Sequence, residues 1–151
     1  MGYGTIKITE TKIPMFMITV KTSYLGEKRT EAEHVRSGNR LITDAPLDNN
    51  GRGEAFSPTD LVATALASCM MTVMGIKADT LGVSLEGLRC EVLKVMASEP
   101  RRIAEIHIDM HWPTAQAASA DNQELMKRTA LACPVAKSLS ADLRQEVTFH
   151  F

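Results

Sequence analysis

Short alternating segments fill the first third of the chain, a long uncharged run follows, and alternation returns after it. Residues 5–11, with Ile6 and Ile8 on one face, and residues 15–24, rich in Ile, Val and Thr, predict strands. Residues 29–35 and 40–43 flank Ser37-Gly38-Asn39 and predict a hairpin, because Gly and Asn tolerate positive φ. Residues 44–56 are dense in turn formers and predict a loop. Ser57-Pro58-Thr59-Asp60 then reads as a helix start: a capping hydroxyl, a proline for the first helical position, and a carboxylate three residues after the cap. The helix is expected to run to about Thr80 and stop at Gly82.

Within this helix Val62, Leu66, Cys69, Val73 and Ile76 fall on one stripe by the i, i+3/i+4 rule, so Cys69 is expected to face the interior. The uncharged stretch 61–76 is short and polar for a membrane span and predicts a helix buried on nearly every side. Residues 88–96 and 102–112 predict two more strands. The second alternates, with Ala104, Ile106, Ile108, Met110 and Trp112 opposite Ile103, Glu105, His107, Asp109 and His111. Residues 121–132 predict a helix, Pro134 opens a short one, and residues 146–150 close the chain as a strand. The order describes an α+β fold, and 151 residues suit a single domain over residues 1–151.

Charge narrows the function. A net charge of −1, scattered Lys and Arg and 5% aromatic residues give no basis for nucleic-acid binding. Three cysteines and no secretory leader pattern suit a reducing, cytoplasmic compartment in which thiols stay free unless used. Cys133 stands before Pro134, the N-cap position of the short helix, where free N–H groups and the helix dipole favour a thiolate; a packed thiol at a helix joint is the plain alternative. Cys69, alone, reads as a core cysteine whose burial disfavours ionisation; it becomes reactive if a cation reaches it, and Arg29 is the candidate, unless Arg29 is simply a solvated strand residue. Cys90 reads as packing. His107 and His111 lie about 13 Å apart along a strand and cannot share a metal, so no metal site is expected. Gly51-Arg52-Gly53 reads as a flexible turn rather than a phosphate loop.

The segment Phe56-Ser-Pro-Thr-Asp-Leu-Val-Ala-Thr-Ala-Leu-Ala-Ser-Cys69, with Cys133-Pro134-Val135 downstream and Arg29 on the first hairpin, resembles the OsmC/Ohr family. The resemblance implies an intertwined homodimer with long central helices flanked by antiparallel sheets and active sites at the subunit interface. It implies thiol-dependent reduction of organic hydroperoxides, with Cys69 as peroxidatic thiol, Cys133 as resolving thiol and Arg29 as the thiolate-stabilising cation. No cofactor is implied beyond an external dithiol or lipoyl-type reductant, and no membrane partner. Hydroperoxide reductases of the family carry Glu after the helix-start proline, paired with the arginine; here that residue is Thr59, and Asp60 or Glu54 is the candidate acidic partner. That departure leaves open a catalytically weak small-molecule-binding or dimerisation module.

Overall fold

The structure, a computed structural model, describes residues 14–151. The strand expected at residues 5–11 lies outside them. The chain divides into two compact units, one ending at Ser57 and one spanning Pro58–Phe151, and each is described by itself.

The first unit is a three-stranded antiparallel sheet: β1 (Val20–Gly26), β2 (Arg29–His34) and β3 (Arg40–Asp44), in the order β1-β2-β3. The strand expected from residue 15 begins later, because Met15–Met17 forms a 3-10 turn after Pro14, whose ring fixes φ and removes a donor. The β2–β3 hairpin turns at Gly38, φ +72°, as the turn residues predict. The β1–β2 turn places Glu27 and Lys28 at φ +48° and +62°, the positive-φ pair that matches the twist of two adjoining strands. Among the described residues, the positions buried in this unit are Thr43, Asp44 and Ser57, all polar. Val20, Tyr24, Leu25 and Leu41 stay exposed. The loop after β3 folds back on the sheet: Asp44 N–H donates to Phe56 O, Ala45 N–H to Lys28 O, and Gly53 N–H to Ala45 O. At Gly51 a Cβ would collide with the Ala45 carbonyl, so the close approach requires glycine.

The second unit holds the hydrophobic core. Helix α1 (Pro58–Leu81) starts and stops where the capping signals place it. Gly82 adopts φ +63° and Val83 N–H donates to Ala78 O at 3.1 Å, the hydrogen bond of a Schellman C-cap. By length and composition alone α1 could cross a bilayer, contrary to the estimate from its uncharged centre, since the whole helix has 24 residues and its most apolar window a mean hydropathy of 1.6. Its packing is that of a core helix with one buried side. Ala63, Leu66, Ala67, Met70, Met74 and Ala78 are buried against the rest of the unit. This corrects the expected stripe: the buried line runs through Ala63, Ala67 and Met70, one position away from Val62, Cys69, Val73 and Ile76. The small residues and methionines allow closer helix approach than the β-branched ones would, and Ile76 is left exposed. Nor is α1 buried on nearly every side, since Thr64, Ala65, Ser68, Thr72 and Ile76 face outward.

Strands β4 (Arg89–Ser98) and β5 (Arg101–His111) pair antiparallel. The closing strand β6 (Arg144–His150) pairs parallel with β5, which makes this sheet mixed rather than antiparallel, in the order β4-β5-β6. The parallel pairing follows from the crossover through helix α2 (Ala120–Leu131) and the short α3 (Pro134–Ser138). Ile106, Ile108, Met110 and Trp112 are buried on one face of β5, as the alternation predicts. The pattern breaks at Ala104, where the register slips between Val95–Glu105 and Met96–Ile103; this bulge turns Ile103 onto the core. On the opposite face His107 bonds Glu105 and His150 bonds Asp109. Among the described residues no His, Cys, Asp and Glu group has the arrangement of a metal site.

Leu66 is fully buried in α1. Leu66→Ala is expected to lower unfolding stability by about 2–5 kcal/mol in chemical denaturation, through lost transfer energy and a residual cavity. Asp79→Ala, on the exposed side of the same helix, is expected to stay within about 0.5 kcal/mol.

Candidate active site

Two elements of the second unit converge on one pair of sulfurs. Cys69 lies on the flank of α1, half-buried and packed against the core rather than inside it. Cys133 is fully buried where α2 gives way to α3. The joint is built locally. Ala132 and Cys133 donate their N–H groups back to α2 carbonyls, Pro134 takes the first helical position, and Cys133 becomes the N-cap of α3 with φ −61° and ψ 149°. Its Sγ accepts the Ala136 N–H at 3.4 Å. Both α2 and α3 pack on α1, which brings the Cys133 thiol near enough to Cys69 for each to influence the other's ionisation. Both thiols are free.

The N-cap position was expected to favour the Cys133 thiolate. The structure reverses the balance. Burial is the largest influence and pushes the Cys133 thiol up; the Ala136 N–H pulls it down, and the neighbouring Cys69 pushes it up again. Cys133 is therefore a protonated thiol at neutral pH. Cys90, also half-buried, is pushed up by burial, in keeping with a packing role on β4.

In the first unit, Arg29 opens β2 and is tied down rather than solvated. Its Nε donates to Asp44 Oδ1 at 2.7 Å and its Nη2 to Asp44 Oδ2 at 2.8 Å, the fork geometry of a bidentate pair. Nη2 also donates to Glu54 Oε2 at 2.8 Å. The register of the sheet sets the first contact, because Arg29 lies directly opposite Asp44 on β3. Asp44 also accepts the backbone N–H of Glu54 at 3.1 Å. Arg29, then backbone donors from Glu54 and Ala55, hold the Asp44 carboxyl below its ordinary range against the opposing effect of burial, and the two carboxylates push Arg29 further up.

Of the two acidic candidates, Glu54 bonds Arg29. Asp60 accepts a hydrogen bond from Lys94 Nζ on β4 at 2.7 Å, and Thr59 bonds the same ammonium at 2.7 Å. The first residues of α1 thus anchor a lysine of their own unit. Asp44 escaped the sequence reading: it was counted among the turn formers of the following loop. Its signal was available in the hairpin, since a short turn centred on Gly38 puts Asp44 across from Arg29.

The chain is thus an α+β protein with a half-buried helix thiol near a buried N-cap thiol. A family model described as OsmC-like protein matches residues 51–148, and the chain belongs to that family. The chain is 51% identical to a crystal structure from Psychrobacter arcticus 273-4, whose protein is assigned by name only to osmotic stress induction and detoxification response; the match covers 89% of this chain and 96% of that one, with a TM-score of 0.84. An organic hydroperoxide resistance protein OsmC from Legionella pneumophila shares the fold at 17% identity, 89% and 98% coverage and a TM-score of 0.69. An OsmC-like protein from Mycoplasma pneumoniae does so at 16% identity, 94% and 98% coverage and a TM-score of 0.69. A comparison with curated proteins gives no significant match.

The lowered Asp44 carboxyl makes stability pH-dependent. A carboxyl with a depressed folded-state pKa contributes stability that is complete above its unfolded value, about 3.9, and is lost as pH falls through the lower folded value. The stability gap between the native chain and Asp44→Asn, measured by denaturant unfolding, is expected to be constant from pH 5 to 7 and to narrow below about pH 4. Cys133 has the opposite sign: its raised value protects the thiol, so alkylation of Cys133 in a Cys69→Ser, Cys90→Ser chain is expected to rise only above the ordinary thiol range of about 8.5.

Proposed function

We propose that this chain is a thiol-dependent peroxidase that reduces organic hydroperoxides in oxidative stress defence. The single observation carrying this reading is the proximity of the Cys69 and Cys133 thiols, on neighbouring packed helices. Membership of the OsmC-like family supports a redox role at the coarser level.

The proposed cycle balances as follows. The Cys69 thiolate attacks the distal oxygen of R–O–O–H. The oxygen–oxygen bond breaks, the alkoxide takes a proton and leaves as alcohol, and Cys69 is oxidised to a sulfenic acid. The Cys133 sulfur then attacks Cys69 Sγ, its proton leaving with the sulfenic hydroxyl as water, and a disulfide forms. A dithiol or lipoyl-type reductant supplies two electrons and two protons by exchange and is itself oxidised to a disulfide. The two thiols suit these different tasks. Cys69, half-buried, is the more accessible to a peroxide. Cys133, buried and protonated, does not compete for the first attack. Arg29 is assigned as the cation that holds Cys69 as thiolate; that role rests on the resemblance, as does a cytoplasmic setting.

The working form is proposed to be an intertwined homodimer. The physical argument is the first unit's lack of a hydrophobic interior among the described residues: a three-stranded sheet needs an apolar face packed on something to be stable in water. Exposed Ile76 on α1, and Val20, Tyr24, Leu25 and Leu41 on the first sheet, are apolar side chains that a second copy would cover. Both thiols belong to or pack on the apolar core cluster, which on this reading favours organic peroxides over hydrogen peroxide.

A second reading is favoured by Thr59. It stands where hydroperoxide reductases of the family carry Glu, and it bonds Lys94. On that reading the chain keeps the fold as a small-molecule-binding module without turnover.

The two readings part in one assay. Organic-hydroperoxide-dependent consumption of a dithiol is expected for the native chain and is expected to fall at least about a hundredfold in Cys69→Ser, the scale of losing a catalytic nucleophile. Equal rates in both, or no consumption by the native chain, contradict the peroxidase.

A further inference from the structure

Cys133 Sγ serves two partners. As a free thiol it caps α3 by accepting the Ala136 N–H at 3.4 Å, and it lies near Cys69. Sulfur is a weak acceptor, and a disulfide allows only a narrow geometry about its Cβ–Sγ and Sγ–Sγ bonds. A thiol is free to stay aimed at an amide while a second sulfur lies close; a sulfur bonded to Cys69 is not. The two sides also differ in what holds them. Cys69 sits in the middle of α1, 24 residues long, with buried Leu66, Ala67, Met70 and Met74 on either side of it in sequence. Helix α3 has five residues, none of them buried. That is far below the length at which a helix holds together alone. It depends on its cap, on the hydrogen bond from Gln145 Nε2 to Ala136 O at 3.2 Å, and on the packing of Val135, Ala136 and Leu139 against the core. All of these contacts lie within the second unit.

We propose that a Cys69–Cys133 disulfide uncaps α3: bonding to Cys69 draws Cys133 Sγ off the Ala136 N–H, and residues 134–138 loosen while α1 stays in place. The redox state of the pair is thereby carried by the order of a short helix next to it. As a step of turnover this rests on the peroxidase reading; the coupling itself rests on the one sulfur that is both cap and redox partner. A serine at the same position would keep a capping oxygen without the redox chemistry, and an alanine would keep neither.

The test compares amide hydrogen exchange in the dithiol and disulfide forms of the full-length chain carrying Cys90→Ser. Diamide makes the disulfide: it takes two electrons and two protons from the two thiols and becomes the hydrazine, and peptide mass spectrometry confirms the link. NMR at constant pH follows the Ala136 amide and, as reference, the Met74 amide on α1. Ala136 is expected to exchange about fivefold faster or more in the disulfide form, the scale of losing an N-cap acceptor, with Met74 unchanged. With Cys133→Ser added, Ala136 is expected to stay protected and not to respond to diamide. With Cys133→Ala it is expected to exchange fast without oxidation; should that variant fail to fold, the Cys133→Ser chain and the two redox forms still decide. Equal Ala136 exchange in the two forms overturns the proposal, and so does a Met74 amide that speeds up more than Ala136, since α1 would then be the part that yields. If diamide forms no Cys69–Cys133 link, the proposal and the peroxidase reading fall together. If diamide forms it and an organic hydroperoxide does not, the peroxidase reading falls alone, and Ala136 exchange still decides the uncapping.

Discussion

The meeting of two sulfurs depends on a helix joint. Cys133 comes near Cys69 because α2 ends, two residues make the joint, and α3 begins at a proline, with both helices packed on α1. Most side chains could serve in a helix packed on another helix. Fewer can sit at the N-cap, fully buried, and still satisfy a backbone donor, as the Cys133 sulfur does for Ala136. The same placement that makes the thiol a structural cap keeps it protonated and holds it beside a second thiol of different exposure. That asymmetry separates a pair that could divide attack and resolution between its members from two cysteines that merely pack.

The first unit shows a different economy. Among the described residues its buried positions are polar, and its most constrained side chains form an ion pair rather than an apolar cluster. Arg29, Asp44, the hydrogen-bonded loop and the β1–β2 turn form one connected network, with Gly51 required by close backbone contact. Such a network specifies the orientation of a charge more than it contributes stability. Among the described residues the large apolar side chains of this unit stay exposed, which accords with the proposed second copy.

Much of this was legible in the chain. Capping chemistry placed both ends of α1, since Pro58 and Gly82 act locally and need no tertiary partner. The alternation of β5 gave its buried face from Ile106 to Trp112. Legibility failed where non-local packing decides. The buried stripe of α1 turned by one position because alanines and methionines, uninformative in periodicity, make the closer contacts. The bulge at Ala104 and the parallel pairing of β6 depend on partners far along the chain. Cys69, Cys133 and Arg29 were singled out from sequence as candidates, and of the two acidic candidates it is Glu54 that bonds Arg29. Asp44 was missed because a residue at a strand end reads as a turn former until the register puts it opposite a cation. The ionisation of Cys133 was misread for a related reason: the N-cap is visible in sequence, but the burial that outweighs it is not.

The account depends on Cys69 and Cys133 acting as one redox unit. The most direct measurement is peptide mass spectrometry of the native chain after treatment with one equivalent of an organic hydroperoxide, with free thiols alkylated beforehand in a parallel sample. A single intramolecular Cys69–Cys133 disulfide, with Cys90 still free, is the predicted product. Oxidation that stops at a Cys69 sulfinic or sulfonic acid, or links Cys90 instead, with Cys133 left as a thiol, would contradict it.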